Sequence, residues 1–84
     1  MDKITDSYID SILRNSNIET TVSHMSCVMM ATLPNGYIVS AVYPFLGDPD
    51  NHLRGLAEEN CKNQIRRKIR EFETYHLLCI QHLN

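Results

Sequence analysis

The chain has 84 residues, 43% of them apolar and 21% charged, with eight basic and ten acidic side chains giving a net charge of −2. That length makes one domain, and that balance excludes disorder and any global electrostatic pull toward nucleic acid or an anionic membrane. Cys27, Cys61 and Cys79 are odd in number and widely spaced, and no signal-like or membrane-spanning run is present, so reduced thiols in a soluble cytoplasmic protein are expected.

Residues 3–14 read as a short amphipathic helix. Ile4, Tyr8, Ile9, Ile12 and Leu13 recur at helical spacing opposite Asp6, Asp10 and Ser11, with Asp2 as a cap and Asn15-Ser16-Asn17 as the stop. Such a helix is too short to hold alone in water and has to dock.

Residues 18–45 change to strand character, rich in Thr, Val, Ile and aromatic side chains, and read as a β-hairpin with room for an extra short strand near residues 19–23. Leu33-Pro34-Asn35-Gly36 is the strongest local signal. Proline presets the first corner, asparagine suits the second, and glycine takes the left-handed conformation of a three-residue loop with a bulge. Cys27, Met29, Ala31 and Leu33 alternate with Val28, Met30 and Thr32, so both faces of the hairpin are apolar and both ask to be covered.

Residues 49–83 read as one long helix, started by Asp48 with Pro49 or by a later cap at Asp50 or Asn51. Leu53, Leu56, Ala57, Cys61, Ile65, Ile69, Phe72, His76, Cys79, Ile80 and Leu83 form a stripe at three- and four-residue steps. Of these, Leu56, Ile65, Ile69, Phe72 and Ile80 are the expected buried positions. About 30 residues of helix at 1.5 Å each make a rod of about 45 Å, longer than an 84-residue domain is wide, so either the helix breaks or its C-terminal half projects, and pairing of that half with another copy is expected. Gly55 is open to two readings, fraying near the helix start or close approach to a neighbour.

The run Thr32-Leu33-Pro34-Asn35-Gly36-Tyr37-Ile38-Val39 resembles the "L-x-N-G-[FY]-x-V" hairpin of a family of small tailed-phage proteins, the gene-forty-nine-like family. Asp48-Pro49-Asp50-Asn51 stands where that family has a short acidic loop, and Gly55, Ala57 and Glu59-Asn60 are similar to its helix positions. Glu73-Thr74-Tyr75-His76-Leu77 is similar to its "E-G-Y-x-L" ending, with threonine for glycine. Ser40 also replaces a usual glycine, and the segment between Asn60 and Tyr75 is about one helical turn longer. The resemblance covers about half the chain. It implies an α+β fold and a phage accessory gene expressed in the host cytoplasm, and it implies no activity.

Arg66, Arg67, Lys68 and Arg70, with Lys62 and Arg54 upstream, form the one concentration of positive charge. Either it is a solvated face neutralised by Glu58, Glu59, Glu71 and Glu73, or it grips an anion such as a phosphate or nucleotide. Tyr37 and Tyr43, with Phe45 and Tyr75, are core or interface aromatics or could stack on a base. His76, Cys79 and His82 drift around a helix too far to share one metal ion. Cys27 with His24, or Cys61 with His52, would make a thiol–imidazole pair, but no local signature surrounds either, and no calcium loop or phosphate-binding glycine motif is present.

The expectation is therefore a single α+β domain spanning 1–84, a non-enzymatic homo-oligomer without a cofactor. Its best-supported role is phage counter-defence by sequestering a small phosphorylated, cyclic-nucleotide-type signal between subunits. Arg54, Lys62, Arg66, Arg67, Arg70, Tyr37 and Tyr43 are the candidate ligand-binding residues. Direct inhibition of a host protein is the alternative, followed by a weak nucleic-acid accessory role, which the acidic net charge disfavours.

Overall fold

The computed structural model describes residues 4–83, without the side chains of residues 75 and 77–83. It is an α+β fold: helix α1 (Asp6–Arg14), strands β1 (Asn17–Val22), β2 (Ser26–Thr32) and β3 (Ile38–Pro44), then helix α2 (Asn51–Leu83). The three strands form one antiparallel sheet in chain order, with β2 in the centre.

Helix α1 begins later than residue 3. The Thr5 hydroxyl accepts from the Tyr8 amide at 3.1 Å and caps the helix; Asp2, the expected cap, lies outside the described residues. At the other end, Asn15 Nδ2 and Ser16 Oγ donate to the carbonyls of Ser11 and Ile12, satisfying groups the last turn leaves unpaired.

The segment 18–45 is three strands, not a two-stranded hairpin. The optional strand is real, and β1 pairs along its whole length with β2, from Asn17 opposite Thr32 to Val22 opposite Cys27. Ser23 makes the first turn without glycine or proline. Its hydroxyl accepts from the amides of Met25 and Ser26, replacing backbone partners that a tighter turn would supply. The second turn follows the expected chemistry: Gly36 has φ +92°, its amide donates to the Leu33 carbonyl at 2.9 Å, and Asn35 Oδ1 accepts from the Tyr37 amide.

Of the two possible starts for α2, the later one holds. Asp50 Oδ1 accepts from the Leu53 amide at 2.7 Å, so Asp48 and Pro49 stay in the preceding loop. The helix then runs unbroken for 33 residues, about 50 Å at 1.5 Å per residue, and accounts for the 52 Å long axis of the molecule. A seven-residue strand spans only about 23 Å. The helix therefore continues beyond the sheet that seats its first half.

The core lies between one face of the sheet and the helices. Cys27, Met29, Ala31, Leu33, Ala41 and Phe45 meet Ala57, Cys61, Ile65 and Ile69 of α2 and Ile9 of α1. Ile65 and Ile69 are buried as expected, but Leu56 is 51% exposed and Phe72 38% exposed. Leu56 precedes Ala57 by one residue, about 100° around the helix, so when Ala57 faces the sheet Leu56 turns away. Phe72 lies past Ile69, the last buried position among the described side chains, and packs edge-on against Tyr37, with ring centroids 4.7 Å apart. Ile80 lies outside the described side chains. The expectation that both sheet faces are covered is not met within this chain, since Met30, Ile38 and Val42 on the second face are exposed.

Gly55 has nothing within 4 Å of the position a Cβ would take, so of its two readings close approach to a neighbour is not met. Gly55→Ala is expected to stabilise the protein by about 0.5–1 kcal/mol, by lowering the entropy of the unfolded chain inside a helix. A higher urea midpoint with unchanged slope in a circular-dichroism titration checks this.

Candidate functional site: a groove between the two helices

The two helices run antiparallel, and a ladder of charge joins them. Arg70 contacts Asp6, and its other nitrogen donates to the Ile4 carbonyl at 2.5 Å. One turn back along α2 and one turn forward along α1, Arg66 pairs with Asp10 at 3.0 Å. Tyr8 closes the outer end by donating to Glu73 at 3.3 Å. Burial and the Glu73 carboxylate raise the Tyr8 phenol above its ordinary range and keep it neutral.

The basic cluster is thus partly neutralised, but not by the expected residues. The helix's own Glu58, Glu59 and Glu71 make no ion pair among the described residues, and the aspartates of α1 take that role. The reason is helical spacing. Lys62, Arg66 and Arg70 stand four residues apart on the flank of α2 that faces α1, where Asp6 and Asp10 stand at the matching interval. The Arg66–Asp10 pair is half-exposed and Asp6 of the other pair is almost fully exposed, so each contributes at most about 1 kcal/mol.

Above this ladder lies a groove of about 440 Å³, lined by Asp6, Ile9, Asp10, Asn63, Arg66, Arg67 and Arg70. Among the described residues Arg67 forms no ion pair, so a free guanidinium stands next to two engaged ones. Lys62 belongs to an adjoining cavity of about 300 Å³ with Asp10, Leu13, Arg14, Ile18 and Arg66. Arg14 was missed in the sequence, where it reads only as the basic last turn of a short helix. The spacing of Asp6, Asp10 and Arg14 against Arg70, Arg66 and Lys62 is the signal that could have found it.

The remaining candidates are placed elsewhere. Arg54 lies on the first turn of α2, eight residues before Lys62, about 12 Å along the axis. Lys68 points to the opposite flank and donates to the Ser40 carbonyl at 2.5 Å. Tyr37 packs on Phe72 at the hairpin tip, and Tyr43 is half-buried beside Phe45 at 6.0 Å, so neither joins the arginines. Among the described residues no cluster of three metal-ligating side chains exists; Cys79 and His82 lie outside the described side chains.

The buried cysteines are structural. Cys61 donates to the Cys27 carbonyl at 3.7 Å, and neither thiol meets the histidine considered for it in the sequence through a hydrogen bond. Burial, reinforced by neighbouring Cys27 and Glu58, pushes the Cys61 thiol up to about 11. A thiol kept neutral in the fold but ionised near 9 when unfolded contributes stability that is complete below pH 9 and declines as pH rises toward 11. Unfolding free energies from urea titrations at pH 8 to 11 should fall by an amount on the order of 2 kcal/mol, and Cys61→Ala, though less stable throughout, should show a flatter decline.

Among the described residues no helix is long and apolar enough to cross a membrane. No protein-family model, curated protein or solved structure matches this chain.

Proposed function

We propose that the protein is a non-enzymatic binding module that holds a small phosphorylated ligand, of the cyclic-nucleotide type, in the groove between α1 and α2. The observation that carries this reading is the convergence of Arg66, Arg67 and Arg70 with Asn63 on one groove of nucleotide-compatible size. Guanidinium groups offer paired donors that match phosphate oxygens, and the Asn63 amide adds neutral donors and an acceptor. Asp6 and Asp10 pair with two of the arginines, so a ligand phosphate would exchange with those carboxylates instead of meeting bare charge. In a phage setting, which the hairpin and helix motifs resemble, such binding would sequester a host signalling nucleotide.

Calorimetry with a panel of cyclic mono- and dinucleotides tests this. Binding is expected for at least one member, weakening with ionic strength and falling about tenfold or more in Arg67→Ala and in Arg66→Ala. Asp10→Asn should bind more tightly than the parent, because it removes the competing carboxylate. No heat from any nucleotide at high protein concentration would end the reading.

A second reading, binding to a host protein, is favoured by a different surface. Met30, Ile38 and Val42 are exposed on the open face of the sheet, and Met25 and Leu46 are exposed in the loops flanking the strands. An apolar patch of this kind is a usual mark of a protein interface. Retention of one stoichiometric host protein, lost in Met30→Lys with Ile38→Lys but kept in Arg67→Ala, would support it over nucleotide binding.

A further inference from the structure

The two edges of the sheet are treated differently. On β3, the outward carbonyls are taken up by α2. Lys68 Nζ donates to Ser40, and Gln64 Nε2, itself held by Asn60 Oδ1 at 2.7 Å, donates to Val42 at 3.0 Å. These side chains lie across the ladder that another strand would need, and they block that edge.

The β1 edge has no such cover. The Ser23 amide donates to the Ser26 carbonyl, which sets the alternation in this antiparallel pair. Thr21, Glu19 and Asn17 therefore turn their backbone groups toward β2, while Val22, Thr20 and Ile18 turn theirs outward. Among the described residues, none of those outward groups has a partner. The side chains are open as well: α2 packs on β2 and β3, residues 17–21 are all exposed, and Ile18 is 37% exposed beside the cavity it shares with Leu13, Arg14 and Lys62.

We infer that β1 pairs antiparallel with β1 of a second copy, about a two-fold axis at Thr20, to make a continuous six-stranded sheet. The occupant follows from the self-complementarity of the strand. Centring on Thr20 pairs Ile18 with Val22 of the second copy, Val22 with its Ile18, and Thr20 with its counterpart. All three outward-facing residues of each strand then form hydrogen-bonded pairs, giving six backbone bonds. The same register sets Glu19 opposite Thr21. Moving the axis one residue, to Glu19, would put two carboxylates face to face and leave Val22 unpaired on both strands. On the face that carries the helices, the side chains meeting across the axis (Ile18, Thr20 and Val22) are all β-branched, the composition that packs best on a pleated surface. Because the axis stands perpendicular to the sheet, both helical layers lie on one side, and Ile18 and Val22 extend the core from one copy into the other. This interface does not depend on the ligand assigned to the groove.

Light scattering coupled to size exclusion, across protein concentrations up to the millimolar range, tests the inference. The parent should run at twice the 9.7 kDa chain mass. Thr20→Pro removes an outward amide that β2 does not use, so the variant should keep the parent circular-dichroism spectrum and run as a monomer. Thr20→Lys and Thr20→Glu, which place like charges across the axis, should each be monomeric, and mixing the two should restore the dimer. Lys68→Ala, on the other edge, should leave the dimer in place. A monomeric parent, a dimer that survives Thr20→Pro, or a Lys–Glu mixture that stays monomeric would each overturn it; survival would assign the contact to another surface, such as the projecting end of α2.

Discussion

The seat of α2 on the sheet decides the rest of this molecule. Ala57, Cys61, Ile65 and Ile69 stand at four-residue steps and are all buried against β2 and β3. The two small residues come first, and Cys61 approaches closely enough to donate to the Cys27 carbonyl. Once that strip is fixed, helical geometry allots every other side chain of α2 to a side. Gln64 and Lys68 fall toward the outer edge of β3, Lys62, Arg66 and Arg70 fall toward α1, and Arg67 and Asn63 line the groove above.

One flank consequently does two jobs. Arg66 and Arg70 tether α1, a nine-residue helix that could not persist alone, and they also line the groove they share with Arg67. The tether does not rest on charge alone, because the pairs are exposed and weak in water. Ile9 is buried beneath them and supplies the apolar contact that the ion pairs orient. A groove built this way is held in shape by residues that a bound anion could recruit.

The opposite flank explains why the sheet stays finite on one side. A strand edge is a template for further pairing, and α2 covers the β3 edge with a lysine and a glutamine at consecutive outward carbonyls. The helix cannot cover both edges. Its width is about 10 Å, whereas three strands span about 10 Å between their axes and more with their side chains, and α2 is displaced toward β3. The exposure of β1 is a consequence of where the small-residue strip placed the helix.

The α+β class, the long helix though not its continuity, the Pro34-Asn35-Gly36 turn and the burial of Ile65 and Ile69 were legible in the sequence, because each depends on local periodicity or on a residue with a restricted backbone. So was the basic flank, since Lys62, Arg66 and Arg70 share a face by spacing alone. What only the tertiary structure decided were relations between segments distant in the chain. Which acids neutralise the arginines, why Leu56 and Phe72 leave the core, and why Tyr37 and Tyr43 part from the arginines all depend on the rotation of α2 about its axis. That rotation is set by packing against β2 and β3, and no local pattern encodes it. Strand β1 was half visible for the same reason: its residues favour extension, but its turn is made by the hydroxyl of Ser23, and its place in the sheet by a register that exists only once β2 is there to pair with it.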